Sequence, residues 1–563
     1  MLREGQPRLL TEAAFMGVVG ALAAQVFTWA LRACTYLFLV RLGGYRPPAL
    51  PSDGGVLQQW IGPHGLWLIP LATTLGGLIS GLLVYNIAPE AEGHGTDTVV
   101  KAFHRTGGFI RARVAPLKLV ASSITIGSGG SAGREGPTAL VGAGIGSIYS
   151  TIAHRSDEER RVLVLTGMAA GLSAIFRSPI GAAFFATEVL YGSMEFESEL
   201  LLYTLLASVV AYAVNGLFVG WKPLFYFPGG QITMTTFSFA WFGVLGGLSG
   251  LVATLLPVVF YRLRDLFRAL PVPASLNPAI GGLGVGLLAL KFPQILGGGY
   301  GWIQQAISGQ IAIGLLITLM FVKILAFAFT VSSGGSGGVF APTLFVGAML
   351  GGFLAALLNL PTAAFVVVGM VAVFGAAARV PIAALVMVAE MTGGYQLLPA
   401  ATFAVLLSYL LHTRLSAGLK YRSLYEAQVL GRAESPALYT ENVRTALKIL
   451  SAGQIPRSMQ VGHLDLVSLL DSGVPIKLRG RKELGIGMLK LDSALVGKTV
   501  QAAYDLVGGS SFEIIAILRD GEILLPNRDT PLRENDRVLT IGSSEARSRI
   551  SEHLGTLEPV ERR

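Results

Sequence analysis

Ser128-Gly129-Gly130-Ser131-Ala132-Gly133-Arg134-Glu135-Gly136-Pro137-Thr138 returns 205 positions later as Ser333-Gly334-Gly335-Ser336-Gly337-Gly338-Val339-Phe340-Ala341-Pro342-Thr343. Both copies run into an apolar, glycine-dotted segment. That layout is a glycine-rich loop feeding a helix start, where unpaired backbone N–H groups converge and attract anions. A second echo, residues 168–189 against 370–391 at an offset of 202, sets Arg177, Pro179 and Glu188 against Arg379, Pro381 and Glu390. Two nearly equal offsets mean one duplicated unit. Paired, Gly/Pro-interrupted hydrophobic segments in corresponding halves point to a membrane transporter with its site at the repeat interface.

The chain has 563 residues, 52% of them hydrophobic and 14% charged, with 71 glycines and a mean hydropathy of +0.60. That balance is too apolar for an ordinary soluble enzyme and reads as an all-α polytopic membrane protein. The single cysteine, Cys34, excludes an intrachain disulfide and a cysteine-based metal cluster. No HExxH or cysteine nucleophile pair is present, so no enzyme activity is expected. His94, His104 and Asp97 have no second ligand cluster near them in sequence, so no metal is expected either. The net charge of +9 reads as basic loops facing anionic lipid and the cytoplasm rather than as a nucleic-acid surface. Arg3 and Arg8 favour a cytoplasmic N-terminus, and residues 15–40 are too long for the apolar core of a cleaved signal.

Residues 15–40 and 65–88 are long enough to span, a crossing of about 30 Å taking about 20 residues. Residues 114–126, 138–149, 162–176 and 179–191 are helical in pattern but mostly shorter than a full span. Half-length helices must end inside the membrane, buried in protein or beside an aqueous cavity, because lipid offers backbone groups no hydrogen bonds. Apolar segments at 200–219, 239–261, 279–290, 311–330, 343–358, 363–378, 381–391 and 402–411 follow, and residues 421–425 are expected to open a last helix. Gly93-His94-Gly95-Thr96-Asp97 precedes a short helix at 98–104, which Asp97 is expected to cap. From residue 431 mixed charge replaces glycine-dotted apolar runs. Residues 431–483 read as a linker with some helix, such as 443–451. Strands are expected at 513–518, 522–525 and 537–541, and 557–563 is a tail. Gly497-Lys498-Thr499 resembles the end of a phosphate-binding P-loop, but Asp492 stands where that loop needs glycine, which argues against nucleotide hydrolysis.

Gly133-Arg134-Glu135-Gly136-Pro137, Gly338-Val339-Phe340-Ala341-Pro342 and Tyr425 stand in the order of the signature elements of the CLC chloride channels and chloride/proton antiporters, which residues 15–430 resemble. The resemblance implies a homodimer in which each subunit holds its own anion pathway. It implies an inverted repeat of many tilted and half-length helices within residues 1–430, the repeats running over 60–220 and 235–415. It further implies an outer anion site formed by the amides of Arg134, Glu135 and Gly136, and a central one formed by those of Val339 and Phe340 with the Tyr425 hydroxyl. Helix N-termini carry roughly half a positive charge. They hold chloride without the tight grip of a lysine or arginine. Glu135 is implied as the gate: its carboxylate mimics the anion, and protonation frees it to leave.

Two departures from the family pattern bear on function. Gly93-His94-Gly95-Thr96-Asp97 replaces the usual Gly-Ser-Gly-Ile-Pro, which puts an imidazole where a hydroxyl helps select the anion. Val189 occupies the place of the inner glutamate of proton-coupled members, while Glu188 lies about 100° away around the helix. Val189 leads to the expectation of a passive chloride channel, voltage- or pH-gated through Glu135. The alternative is a chloride/proton antiporter with Glu135 as proton carrier, and a remote one is a non-conducting anion sensor. Glu188 with Glu390, and Arg177 with Arg379, match across the repeats and read as structural groups.

Val496-Gly497-Lys498-Thr499, residues 514–521 and Asn535-Asp536-Arg537-Val538-Leu539 look like a TrkA-C (RCK C-terminal) regulatory domain over 484–556, a small α+β unit. That resemblance implies a cyclic dinucleotide, cyclic di-AMP, bound between two tails near Arg519 and Asn527. No cofactor is otherwise required. The expected partners are chloride or similar small anions, protons, the lipid bilayer and a second copy of the chain. The layout suits a bacterial inner membrane with the tail in the cytoplasm.

Overall fold

Apolar runs punctuated by glycine and proline fold, among the described residues, into two matching series of eight helices. The first series is α1 (Gln6–Thr35), α2 (Ile69–Ile87), α3 (Thr96–Arg105), α4 (Val114–Gly127), α5 (Glu135–Ile152), α6 (Asp157–Phe176), α7 (Pro179–Glu188) and α8 (Ser198–Val219). The second is α9 (Thr236–Ala269), α10 (Asn277–Ala289), α11 (Tyr300–Ile307), α12 (Ile313–Ser332), α13 (Phe340–Leu358), α14 (Thr362–Ala377), α15 (Pro381–Thr392) and α16 (Leu398–Ser416). This computed structural model describes residues 6–228 and 236–432, and beyond them 435, 476–477, 482–489, 493, 495–507, 512–519, 522–524, 526–534, 536–543 and 554–555. Seven of the described helices are long and apolar enough to cross a bilayer.

Packing repeats with the sequence. Helix α1 lies on α6 and α8 as α9 lies on α14 and α16, so the first copy begins with α1 rather than near residue 60. Helices α5 and α6 cross where Gly142 meets Gly167, and α13 and α14 cross where Gly347 meets Gly369. A Cβ at any of these four would overlap the facing carbonyl, so small residues set the close approach. Helix α2 packs on α10 and α7 on α15, joining the copies across their dyad. At the centre, the two glycine-rich loops pair antiparallel: Gly133 N–H donates to Gly338 O at 2.8 Å and Gly338 N–H to Gly133 O at 2.7 Å. Equivalent segments meeting head to head are what an inverted repeat produces.

Three details differ from the sequence reading. Helix α11 stands where no element was expected. Residues 421–425 are not helical; Ser423 Oγ takes the Tyr425 N–H at 3.2 Å, so a side chain closes a local turn in place of a helical ladder. Helix α3 begins at Thr96 behind Gly95, whose φ of +86° suits glycine, and Asp97 is inside the first turn instead of capping it. Its Oδ1 accepts from Ala427 N–H at 3.1 Å, holding the 421–428 segment.

The chain divides into two compact units, Met1–Arg432 and Ala433–Arg563. In the first, two short strands, β1 (Tyr45–Arg46) and β2 (Trp60–Ile61), pair antiparallel; in the second, β3 (Ile476–Lys477), β4 (Lys482–Leu489), β5 (Phe512–Arg519), β6 (Glu522–Leu524), β7 (Arg537–Ser543) and β8 (Leu554–Gly555) form one sheet in the order β3-β4-β7-β5-β6, with β8 beside β4. Its pairings are antiparallel. Helix α17 (Val500–Val507) contributes Val500 and Ala503 to a core with Ile514, Ile517 and Val538. Strand β3 and the start of β4 lie in the stretch read as linker, and the helix expected at 443–451 lies outside the described residues.

Candidate functional site

Helices α3, α5 and α13 all begin around one closed cavity of about 10 Å³, the room one water-sized sphere takes. Thr96, Glu135, Gly136, Val339, Phe340 and Tyr425 face it. Three loop backbones touch behind it. A Cβ on Gly136 would overlap His94 O, one on Gly338 would stand 2.8 Å from Gly136 N, and Gly337 N–H donates to Gly93 O at 3.1 Å. Only glycine permits that convergence, which brings three sets of first-turn N–H groups to one place.

Glu135 is 2% exposed. Its Oε1 accepts a hydrogen bond from Ala341 N–H, in the first turn of α13. The carboxylate therefore stands where an anion would be held. Among the described residues its Oε2 finds no partner, and the amides of Val339 and Phe340 find no protein acceptor. Phe340 packs on Phe374 and Phe176 at ring separations of 4.2 and 4.5 Å, and Phe185 lies edge-on at 6.4 Å. These rings give the donors an apolar wall, so an anion that enters must shed water and lean on the few donors of the lining.

His94 and Tyr425 stand between this cavity and a wide vestibule of about 940 Å³, which His94 lines. Their rings meet edge to face at 5.3 Å. His94 Nε2 lies 3.2 Å from Asp97 Oδ2, and Nδ1 is buried with no partner among the described residues. Lys101, Arg105, Arg111, Arg264 and Arg268 line the vestibule against Glu90, Glu92, Asp97 and Glu426, a slight cationic excess that favours anion entry. Arg111 pairs with Glu90 and Arg264 with Glu426. Burial raises the Glu90 carboxyl, but hydrogen bonds from Arg111 and the backbone outweigh it, and Glu90 stays below the ordinary carboxylate range.

On the other flank, the Arg134 guanidinium lies 4.9 Å over the Tyr300 ring and 3.4 Å from Asp53 Oδ2. Arg177 takes the second oxygen of Asp53 at 2.6 Å and donates to Lys222 O at 3.0 Å. Arg379 likewise donates to Gly192 O, and both arginines adopt positive φ at helix ends.

Sequence reasoning missed two lysines. Lys118 on α4 and Lys323 on α12 are 205 residues apart, fully buried, and hydrogen-bonded to matching carbonyls: Ala91 and Gly93 for the first, Ile295 and Gly297 for the second. They fasten the loops that lead into α3 and α11. A lysine at the same offset in two apolar helices was the available signal.

Val189 is fully buried just past α7. Glu188 accepts from Ile382 and Ala383 N–H at 3.2 and 2.7 Å, at the start of α15. Glu390 accepts from Ile180 and Gly181 N–H at 3.2 and 2.9 Å and from Ser178 Oγ, at the start of α7. Each carboxylate thus caps the other copy's helix. In the second unit, Arg519 pairs through Nε and Nη2 with Asp536, both at 2.7 Å, while Asn527 Oδ1 closes a turn with Thr530. Both residues expected near a cyclic dinucleotide are engaged within the unit itself.

A family profile described as "Voltage gated chloride channel" matches residues 76–413, and one described as "TrkA-C domain" matches residues 488–555. The H(+)/Cl(-) exchange transporter ClcA of Salmonella arizonae is 32% identical over 361 residues, 61% of this chain and 76% of that relative. The protein of the same name from Salmonella newport matches at the same identity and coverage. Among solved structures, a CLC-type fluoride/proton antiporter aligns with a TM-score of 0.64 at 24% identity, covering 76% of this chain and 99% of its own. A slow cyanobacterial Cl-/H+ antiporter aligns with a TM-score of 0.63 at 22% identity, covering 78% and 98%.

Proposed function

Because the chain belongs to the voltage-gated chloride channel (CLC) family and carries a TrkA-C domain after its transmembrane unit, we propose that it exchanges chloride for protons across the membrane. The observation that carries this reading is the Glu135 carboxylate seated on the Ala341 N–H of α13. One group there competes with the anion when ionised and carries a proton when neutral. Chloride and proton movements then alternate at a single seat, which is the minimum an exchanger needs. The O–H bond of the carried proton is the covalent bond that forms and breaks; the rest of the work is dehydration and rehydration of an anion at helix ends. The relatives named as H(+)/Cl(-) exchange transporters favour this reading over the passive channel to which Val189 pointed. The channel reading keeps one supporting observation, the apolar, fully buried side chain of Val189.

We further propose a homodimer in a bacterial inner membrane with the TrkA-C unit in the cytoplasm. A ligand of the cyclic di-AMP class is the proposed regulator of that unit. With Arg519 committed to Asp536, that arginine supports the fold of the ligand's domain rather than its contacts.

Chloride efflux from liposomes with simultaneous pH recording tests the exchange. An outward chloride gradient should drive protons uphill in the wild type. Glu135→Gln should keep chloride flux and abolish proton movement. Chloride flux with no linked protons in the wild type would leave a channel, and no chloride flux at all would leave a sensor.

A further inference from the structure

Exchange, as proposed above, needs a proton route between Glu135 and the face of the membrane unit at which the chain leaves near Arg432. Resting on that reading, we propose that Glu197, hydrogen-bonded by Tyr191 and flanked by His104, is the proton-loading site on that face, in place of the acid that Val189 lacks.

Buried glutamates among the described residues of this unit are Glu12, Glu135, Glu188, Glu197 and Glu390. Glu188 and Glu390 are spent on helix starts, and Glu12 is paired with two arginines, Arg155 and Arg8, on α1, which packs on α6 and α8 rather than on the α3 and α7 that reach the cavity, whereas Glu197 has one arginine and a tyrosine hydroxyl. Glu197 is the acid left for proton work, and it is 4% exposed. The Tyr191 hydroxyl donates to its Oε1, and Arg432 Nη2 lies 3.0 Å from its Oε2. Its own N–H reaches Thr187 O at 3.4 Å, tying it to the end of α7.

Two helices connect this cluster with the cavity of Glu135. Phe185 on α7 faces that cavity, and Val189 and Tyr191 follow it. Helix α3 starts at the cavity with Thr96 and ends near His104, about 12 Å away at 1.5 Å per residue. The His104 ring meets that of Tyr191 at 5.6 Å, and its Nε2 lies 3.0 Å from Leu190 O. The 428–432 segment closes the cluster from outside: Val429 N–H donates to Leu190 O at 3.3 Å and Gly192 N–H to Val429 O at 2.7 Å. Charged and titratable groups around the cluster are Arg432, Glu195 (which accepts Arg432 N–H at 2.6 Å), and Arg105 and Arg161 beside His104.

In the proposed step a hydronium ion gives its proton to the Glu197 carboxylate, breaking its own O–H bond and leaving water. Glu197 passes a proton on through the Tyr191 hydroxyl and water to Glu135 and returns to the carboxylate that faces Arg432. Glu135 releases the proton on the opposite side.

The test is chloride efflux with pH recording on the full chain in liposomes, comparing wild type, Glu197→Gln, Glu197→Asp and Tyr191→Phe. Glu197→Gln should lower proton flux roughly hundredfold, the low end of what losing a positioned proton-transfer group costs, with chloride flux retained because Glu135 still takes up and releases its proton on the opposite side. Tyr191→Phe should lower proton flux in the same sense, and Glu197→Asp should restore it in part. A wild-type proton-to-chloride ratio in Glu197→Gln overturns the proposal. So does a parallel loss of both fluxes in all three variants, which marks a structural role. A wild type that moves chloride without protons overturns the exchange reading itself, and the loading site with it.

Discussion

Glu135 reaches the first turn of α13 because Gly133 has no side chain: a Cβ there would overlap both carboxylate oxygens. Gly133 is not among the positive-φ glycines, so alanine is compatible with its φ, and the atoms nearest its methyl are those of the Glu135 carboxylate. Gly133→Ala should therefore displace the Glu135 carboxylate. A hydrogen bond to a charged group is worth about 1.5 to 3 kcal/mol, so its loss should raise the population with Glu135 swung out about tenfold or more. Chloride efflux should rise and the proton-to-chloride ratio fall; unchanged values for both would show that the carboxylate finds another way onto Ala341. His94 belongs to this scale too. Its ring lies against Tyr425 and its Nε2 on Asp97, so at the position read for anion selection the side chain is engaged with the protein, while Gly93 and Gly95 shape the loop around it.

Helices α7 and α15 are short and start within the protein, so their first-turn donors need acceptors that lipid cannot supply. Glu390 and Glu188 supply them crosswise, each from the last turns of one helix to the start of the other. Glu188→Gln and Glu390→Gln each replace a carboxylate by a group that turns an N–H toward N–H donors. Each should cost about 1 to 3 kcal/mol. The thermal unfolding midpoint in detergent should fall by similar amounts for the two, because their geometry matches. A drop for one and none for the other would show that the two starts are held differently. Arg177 and Arg379 act at the same joints, each turning the chain with positive φ and donating to a carbonyl from a neighbouring segment.

The membrane unit and the TrkA-C unit each have a separate hydrophobic core. Described segments of the membrane unit close through Arg432, whose N–H binds Glu195 and whose side chain binds Glu197. A protein ending at Arg432 should thus fold and carry chloride at a rate comparable to the full chain when no tail ligand is added. Liposome efflux and the elution profile in detergent check this, and an aggregated or inactive product would show that the tail is needed to complete the transporter. Within the membrane unit, the dyad places the starts of α5 and α13 face to face and sets Glu135 against Phe340. One copy thereby contributes a carboxylate to the cavity and the other an aromatic ring.

The duplication, the two glycine-rich loops and the helix starts behind them, with Glu135 at one of them, were legible in the sequence, because each loop and start is a local pattern that lies within a dozen residues and is written twice. Most long apolar helices were legible for the same reason. Helix α11 was not: eight residues with glycine, tryptophan and two glutamines carry no long apolar signal, and its place follows from symmetry with α3. Nor was the loop at 421–428, which is held by Asp97 from more than 300 positions away. Tertiary structure alone decided that Lys118 and Lys323 fasten loops, that Glu188 and Glu390 cap each other's helices, that Asp53 holds Arg134 and Arg177, and that Glu197 meets Tyr191 and Arg432. These are buried polar groups, and most of their partners are distant in the chain. Sequence periodicity reports which residues leave water, whereas the partner that satisfies a buried charge is settled only when the two copies fold against each other.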